Sequence, residues 1–232
     1  MRKRGPKPKN TISTIWSANL AYALGLITTD GCLSRDGRHI IFVSKEIEQL
    51  QNLTKCLNIK VVHGKTVSGT GVVTYRIQIS SQLFYKFLIS IGLTPAKSLT
   101  LGALKIPDKF FFNFARGCFD GDGCSYSYLD PRWKSSLMFY LCFASGSYSF
   151  IHWLSATIER LAGIRGYISI SKKREGKNNY YQLRFSKYKA LRLITFLYTS
   201  DSAPYLTRKR LKIEKTLDTI RRHKGKVFKS TL

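Results

Sequence analysis

The sequence predicts an α+β fold made of two like halves, each running α-β-β-α-β-β-α and related by a pseudo-twofold axis. Three observations carry this. The run Leu24-Gly25-Leu26-Ile27-Thr28-Thr29-Asp30-Gly31 is answered 92 positions later by Arg116-Gly117-Cys118-Phe119-Asp120-Gly121-Asp122-Gly123. Each copy is an apolar, helix-like stretch with a small residue inside it, closed by Asp-Gly. Further on, Tyr75-Arg76-Ile77-Gln78-Ile79-Ser80 nearly superposes as text on Tyr181-Gln182-Leu183-Arg184-Phe185-Ser186. The pattern of elements between these landmarks recurs as well, so internal duplication is the economical explanation.

In the first half, the motif helix leads into a strand or hairpin over about Leu33–Ser44. An amphipathic helix follows, with Ile47, Leu50, Leu53 and Leu57 on one face. Strands over about Lys60–Val67 and Val72–Ser80 flank the turn Ser68-Gly69-Thr70-Gly71, and a helix over about Gln82–Ile91 closes the half. The second half repeats the order: strands near Ser125–Leu129 and Leu137–Ala144, a helix near Tyr148–Ala162, and strands near Tyr167–Lys173 and Tyr180–Ser186 around Glu175-Gly176-Lys177-Asn178. Helices near Lys187–Tyr198 and Thr207–Arg222 complete it. The halves are thus expected over residues 11–93 and 108–222. The proline-bounded segment 94–107 is the linker, and 1–10 and 223–232 are basic tails.

Lys and Arg number 39 against 13 Asp and Glu, a net charge of +26 that repels itself unless a polyanion neutralises it. Nucleic acid is the partner this implies, with binding that weakens steeply in salt. An anionic membrane fits less well, because the charges spread over strands and loops rather than gathering on one amphipathic helix. No apolar run reaches the roughly 18 residues a membrane span needs, and the N-terminus lacks a signal-peptide core. A soluble, intracellular protein is expected, its compartment open. The five cysteines are odd in number and lack Cys-x-x-Cys spacing, which reads as reduced, mostly core thiols. Among them Cys32 and Cys118 adjoin the repeated motif. His39, His63, His152 and His223 are isolated, which argues against zinc. Trp16, Trp133 and Trp153 read as core or interface anchors.

Asp30 and Asp122 carry the chemical reading. One carboxylate from each half, at the ends of two helices packed side by side, would bring a pair of hard oxygen ligands together for Mg²⁺. Such packing needs small residues, and Ala21, Gly25, Ala115 and Gly117 supply them. A lone Asp-Gly would merely end a helix in a turn; two at matching points of an acid-poor chain point to a nuclease. The strands add a polar face. Tyr75, Ile77 and Ile79 alternate with Thr74, Arg76, Gln78 and Ser80, and Tyr181, Leu183 and Phe185 with Gln182, Arg184 and Ser186. A wet sheet face would look the same; the charge favours base readout, for which Arg and Gln suit guanine and adenine. Arg35, Arg38, Lys65, Ser169, Ser171 and Lys173 join the candidate DNA contacts. The arm Arg2–Lys9 and the tail Arg221–Lys226 read as disordered basic extensions.

On the two motifs and the order of elements, over residues 15–222, the chain resembles the single-chain, two-motif LAGLIDADG homing endonucleases. The resemblance implies that Asp30 and Asp122 hold the metal with the backbone carbonyls of Thr29 and Gly121, and that the motif helices join the halves. It implies that the two antiparallel sheets form a saddle over double-stranded DNA, and that both strands are cut, leaving short 3′ overhangs. It places Lys97 and Lys209 as active-site lysines and Lys45 as a polar group near the metals, with Ser145 or Gly146 as its counterpart. Mg²⁺ is the implied cofactor, with Mn²⁺ substituting and Ca²⁺ supporting binding without cleavage. The sixth motif position is Thr28 in one copy and Asp120 in the other, which makes Asp120 a supporting candidate; Cys118 and Phe119 replace aliphatics. An origin within an intron or intein is implied. Rival readings are an intron RNA maturase on the same fold, with RNA as partner, and a catalytically silent DNA-binding regulator. Retention of both acids favours cleavage. Intein splicing is disfavoured, since no Cys or Ser opens the chain and no His-Asn closes it.

Overall fold

The computed structural model describes residues 12–171, 179–199 and 204–229, with backbone alone for 133–136 and 223–229. Two helices lie at its centre, α1 (Ala18–Asp30) and α4 (Phe111–Asp122). α1 is apolar on every side from Leu20 to Ile27 and is buried all round, as a core helix must be. Ser17 caps its N-terminus by accepting from Leu20 N–H at 3.1 Å. α4 follows Pro107 and a single 3-10 turn, and buries Phe111, Phe114, Ala115 and Phe119.

The helices cross backbone to backbone. A Cβ placed on Gly25 would lie 2.7 Å from Cys118 N and 2.8 Å from Gly117 Cα; one on Gly117 would lie 2.9 Å from Gly25 Cα and 3.0 Å from Leu26 N. The two glycines therefore mark a pseudo-twofold axis, each seated against the other. No larger residue fits at either position without parting the helices.

Around this pair the halves repeat. The first has β1 (Gly31–Leu33), β2 (His39–Ser44), α2 (Ile47–Leu57), β3 (Gly64–Val67), β4 (Val73–Ser80) and α3 (Gln82–Ser90); its sheet is antiparallel with order β1-β2-β4-β3. The second has β5 (Cys124–Asp130), β6 (Trp133–Ser145), α5 (Tyr148–Ala162), β7 (Tyr167–Ser171), β8 (Tyr180–Ser186) and α6 (Lys187–Leu197), with the matching order β5-β6-β8-β7. The helices cover one face of each sheet. Ile40, Phe42, Ile77 and Ile79 with Leu50, Leu53 and Leu88, and Phe139, Leu141, Leu183 and Phe185 with Ile151, Leu154 and Leu193, belong to one continuous core. Trp153 packs edge-on against Phe111 and Phe114 at 5.8 and 5.9 Å, and Trp16 against Phe87 at 5.8 Å, both as anchors.

The departures from the sequence reading are local. β3 begins at Gly64 rather than near Lys60, because the chain leaves α2 through Asn58 in a left-handed conformation and joins the ladder only opposite Arg76. The last helix, α7 (Thr207–Lys229), runs past Arg222 through the segment expected as a tail; Lys and Arg are good helix formers and one glycine at 225 does not stop them. Residues 94–107 contain no helix or strand. The arm Arg2–Lys9, the turn Glu175–Asn178, Lys173 and the Trp133 side chain lie outside the described residues.

Gly25→Ala and Gly117→Ala are each expected to lower stability by at least ~3 kcal/mol, since the obstructing atoms are backbone and cannot rotate aside. Gly102→Ala, with nothing within 4 Å of its Cβ, serves as the near-neutral control. Urea unfolding of the three variants checks this; equal midpoints would show that the crossing tolerates a methyl group.

Candidate functional site

The C-terminal ends of α1 and α4 converge, and each ends in the aspartate of its motif. A Cβ on Gly121 would come 2.9 Å from Asp30 Oδ2, so the end of one motif abuts the carboxylate of the other. Both carboxyls are raised above the ordinary range. The Asp30 carboxyl is pushed up to about 6, first by burial and then by the charge on Asp122, against the pull of Lys209, a bond from Thr29 and Lys97. The Asp122 side chain reaches solvent, yet it too is raised by desolvation, with Lys209 and Lys97 pulling it down. Among the described residues no group of three or more His, Cys, Asp or Glu converges. The donor set is two carboxylates with backbone oxygens around them, which suits a hard divalent cation and not a soft one.

Two buried lysines flank the acids, each within electrostatic reach of both. Lys97, from the segment after α3, donates to Gly31 O just past α1. Lys209, in the first turn of α7, donates to the carbonyls of Phe119, Asp120, Gly121 and Gly123 at 2.7 to 2.8 Å. Phe119 O also accepts the N–H of Gly123 at 2.9 Å, so Lys209 adds its charge at the carbonyl end of α4, where the helix dipole favours a cation. Burial lowers the pKa of both ammonium groups. Gly121 O, one of the expected metal-facing carbonyls, is therefore already an acceptor and keeps one lone-pair direction free. Thr29 turns its hydroxyl to Leu26 O at 2.9 Å.

Two open concavities of about 380 Å³ flank the acids. One is lined by Asp30, Lys45, Thr74 and Gly121; the other by Asp122, Cys124, Lys209 and Lys212. Lys45 is exposed at the rim of the first. Its counterpart is Gly146, against which the linker backbone packs so closely that a Cβ would lie 2.8 Å from Ser98 O. The pocket is accordingly lopsided.

Asp120 is tied to both halves. Fully buried, it accepts from Tyr22 Oη at 2.7 Å and from Leu206 N–H at 2.8 Å, and its carbonyl accepts from Gln49 Nε2 at 2.7 Å. Glu46 and Glu48 of the first half receive Arg208 Nε at 3.0 Å and Thr207 N–H at 3.1 Å at the start of α7, placing an anion where a helix N-terminus favours one. The sequence signalled neither Gln49 nor this docking of α7.

The open sheet faces carry most of the expected polar residues. Arg76 and Gln78 share a face, with Arg76 Nη2 3.4 Å from Gln78 Oε1; Arg184 and Gln182 repeat the pairing at 3.1 Å. Thr74 and Ser80 extend the first row and Ser186 the second, with Ser171 in line; Ser169 is beside Gln182, but its Oγ is buried and has no hydrogen-bond partner among the described residues. Arg35 and Arg38 are exposed in the β1–β2 turn. Lys65 is exposed on the edge strand β3 and pairs with Tyr75, so the alternation turns it to the face opposite Arg76 and Gln78. Cys32, expected as a buried thiol, is exposed, and so is Cys124, because strands begin directly after each motif and turn them to the polar face, while Cys118 is buried as expected. The reading also missed a row of tyrosines on the second sheet. Tyr126, Tyr140 and Tyr128 stack at 5.0 and 6.1 Å and within 17° of parallel. Their alternation in β5 was the available signal.

No family model and no curated protein matches the chain by sequence. Its structure is similar to mesophilic variants of the homing endonuclease I-DmoI, with a TM-score of 0.54 and 18% identity over 85% of this chain and 97% of that one. I-DmoI in complex with DNA and Ca gives 0.54 and 16% over the same shares. Full-length DUF199/WhiA from Thermatoga maritima gives 0.52 and 16% over 94% and 71%. The N-terminal LAGLIDADG domain of DUF199/WhiA gives 0.52 and 18% over 82% and 88%. The chain has the LAGLIDADG fold that these proteins share.

Burial, opposed by the bonds from Tyr22 and Leu206, holds the Asp120 carboxyl at about 6 against an ordinary 3.8. The folded chain thus keeps this proton where the unfolded chain has lost it, and stability falls as pH rises between those values, with Asp30 acting in the same direction. Urea titrations from about pH 4 to pH 7 should show this decline, and Asp120→Asn should remove part of it. An unchanged slope in the variant would show that Asp120 does not titrate there.

Proposed function

We propose that the chain is a site-specific, divalent-metal-dependent DNA endonuclease that cuts both strands of a long duplex site and leaves short 3′ overhangs. The observation that carries this is the meeting of Asp30 and Asp122, one from each half, between two buried lysines. The I-DmoI structures with DNA and Ca, and with DNA and Mn, support a divalent cation at such a site. Asp30, Asp122 and the carbonyls of Thr29 and Gly121 would hold Mg²⁺, with Mn²⁺ substituting and Ca²⁺ permitting binding alone. When bound, such an ion lowers the pKa of water and offsets negative charge on phosphate.

The remaining work falls to the protein's own groups. Lys97 and Lys209, fixed by carbonyls and partly desolvated, place positive charge beside the scissile phosphate, where a low local dielectric strengthens it. Lys209 also keeps the end of α4 rigid, which holds Asp122 and Gly121 in place. Lys45 at the rim of one concavity orients solvent on that side. Asp120 positions the machinery from behind, by tying α1, α4 and α7 together. Arg76, Gln78, Gln182 and Arg184 read base edges, while Thr74, Ser80, Ser171, Ser186, Arg35 and Arg38 contact the backbone or neighbouring bases. Unlike halves read unlike half-sites, so a monomer acts on an asymmetric target. The tyrosine row lies on the second sheet alone and widens that difference, lining up hydroxyls for phosphates.

Cleavage of a randomised duplex library in Mg²⁺ tests the reading. Wild type is expected to cut one family of sequences, and Asp30→Asn or Asp122→Asn to lower the rate at least ~1000-fold while DNA binding persists. No cutting by wild type, with tight salt-sensitive binding to structured intron RNA instead, would overturn it in favour of an RNA splicing cofactor. A second outcome concerns readout. Arg76→Ala and Arg184→Ala should each weaken binding by about 1–3 kcal/mol and relax preference at one base position, in opposite half-sites. Uniform weakening across all sequences, measured by competition binding, would assign both arginines to phosphates.

A further inference from the structure

Cys124 and Cys142 are direct partners across β5 and β6, so their side chains stand next to each other on one face of the sheet. Antiparallel neighbours keep their Cα atoms ~4.5 or ~5.5 Å apart, depending on whether the pair is hydrogen-bonded through the backbone. Both values fall within the ~4.4–6.8 Å that a disulfide spans. Closure therefore needs side-chain rotation and no shift of register. The two thiols differ in access: Cys124 is exposed and lines the concavity of Asp122, Lys209 and Lys212, while Cys142 is 3% exposed beneath it. An accessible thiol with a second one within reach is the arrangement of a redox-responsive pair. The first half has no such pair, since Cys32 stands opposite Ile41.

We propose that Cys124 and Cys142 form a site of reversible oxidation, which hydrogen peroxide converts into a cross-strand disulfide beside Asp122. The Cys124 sulfur attacks one peroxide oxygen, the O–O bond breaks, and the thiol proton leaves in the first water as Cys124 becomes a sulfenic acid. The Cys142 sulfur then attacks the Cys124 sulfur, the S–O bond breaks, and the hydroxyl leaves as a second water with the Cys142 proton. Two thiols are oxidised and one peroxide is reduced; a dithiol reductant reverses the change. The bond pins β5 to β6 in the face that carries Arg184. On the nuclease reading, duplex DNA lies over that face and shields Cys124 from the oxidant.

The test treats the full chain with stoichiometric hydrogen peroxide, blocks remaining thiols and maps them by mass spectrometry. The expected product is a Cys124–Cys142 cross-linked peptide with a mass loss of ~2 Da, reversed by dithiothreitol. In Cys124→Ser the cross-link disappears and Cys142 stays open to alkylation. In Cys142→Ala, Cys124 stops at the sulfenic acid and reacts with dimedone. Oxidation of Cys124 to a sulfinic acid with Cys142 still alkylated, or a bridge between other cysteines, would overturn the proposal. Saturating duplex DNA should slow bridging ~10-fold. Bridging at an undiminished rate would uphold the redox pair and overturn the placing of DNA on this face.

Discussion

The contact between Gly25 and Gly117 is the constraint on which the rest depends. Two helices brought backbone to backbone end at nearly the same place, so the last residue of each motif is delivered to one point. If either glycine carried a side chain, the helices would move apart and Asp30 and Asp122 would separate. The sheets follow from the same contact. β1 and β5 start at the residue after, or the second residue after, each aspartate, so both open faces begin at the acids and extend outward from them. Burial of α1 on all sides makes the crossing a core feature as well, and stability and site geometry are held by the same atoms.

Around this symmetric contact the polar groups are arranged asymmetrically. Lys97 makes one carbonyl contact at the end of α1, whereas Lys209 gathers four at the end of α4. Thr28 bonds back to its own helix at Leu24 O, while its counterpart Asp120 reaches Tyr22 and Leu206. Lys45 faces open space where Gly146 faces the linker. One end of the crossing is therefore braced by α7, which also docks on α2 through Glu46 and Glu48, and the other is more open. Such bracing suits a site whose two sides meet different strands of an asymmetric partner.

Much of this was legible in the sequence, for identifiable reasons. The motif helices, α2, α5 and the β4/β8 pair have strong periodicity, and their apolar positions form the cores as expected. The acids and small residues could be read because duplication printed them twice. Contacts that depend on a single copy were not legible. Nothing in the spacing joins Asp120 to the N–H of Leu206, 86 residues on, or sends Glu48 to the start of α7. The face of Lys65 was not legible because the strand holding it is short, and only the register opposite Tyr75 fixes which way it turns. Cys32 was misplaced because a small apolar residue beside a buried motif looks like core, while the strand that follows turns it outward.

The central claim is that the two halves contribute one carboxylate each to a single shared ion site. Titration of Mn²⁺ by electron paramagnetic resonance into wild type, Asp30→Asn, Asp122→Asn and the double variant tests it most directly. A shared site is expected to lose its tight binding with either single change, and the second change should add little. Independent losses that sum in the double variant, or tight binding that survives one change, would contradict a shared site.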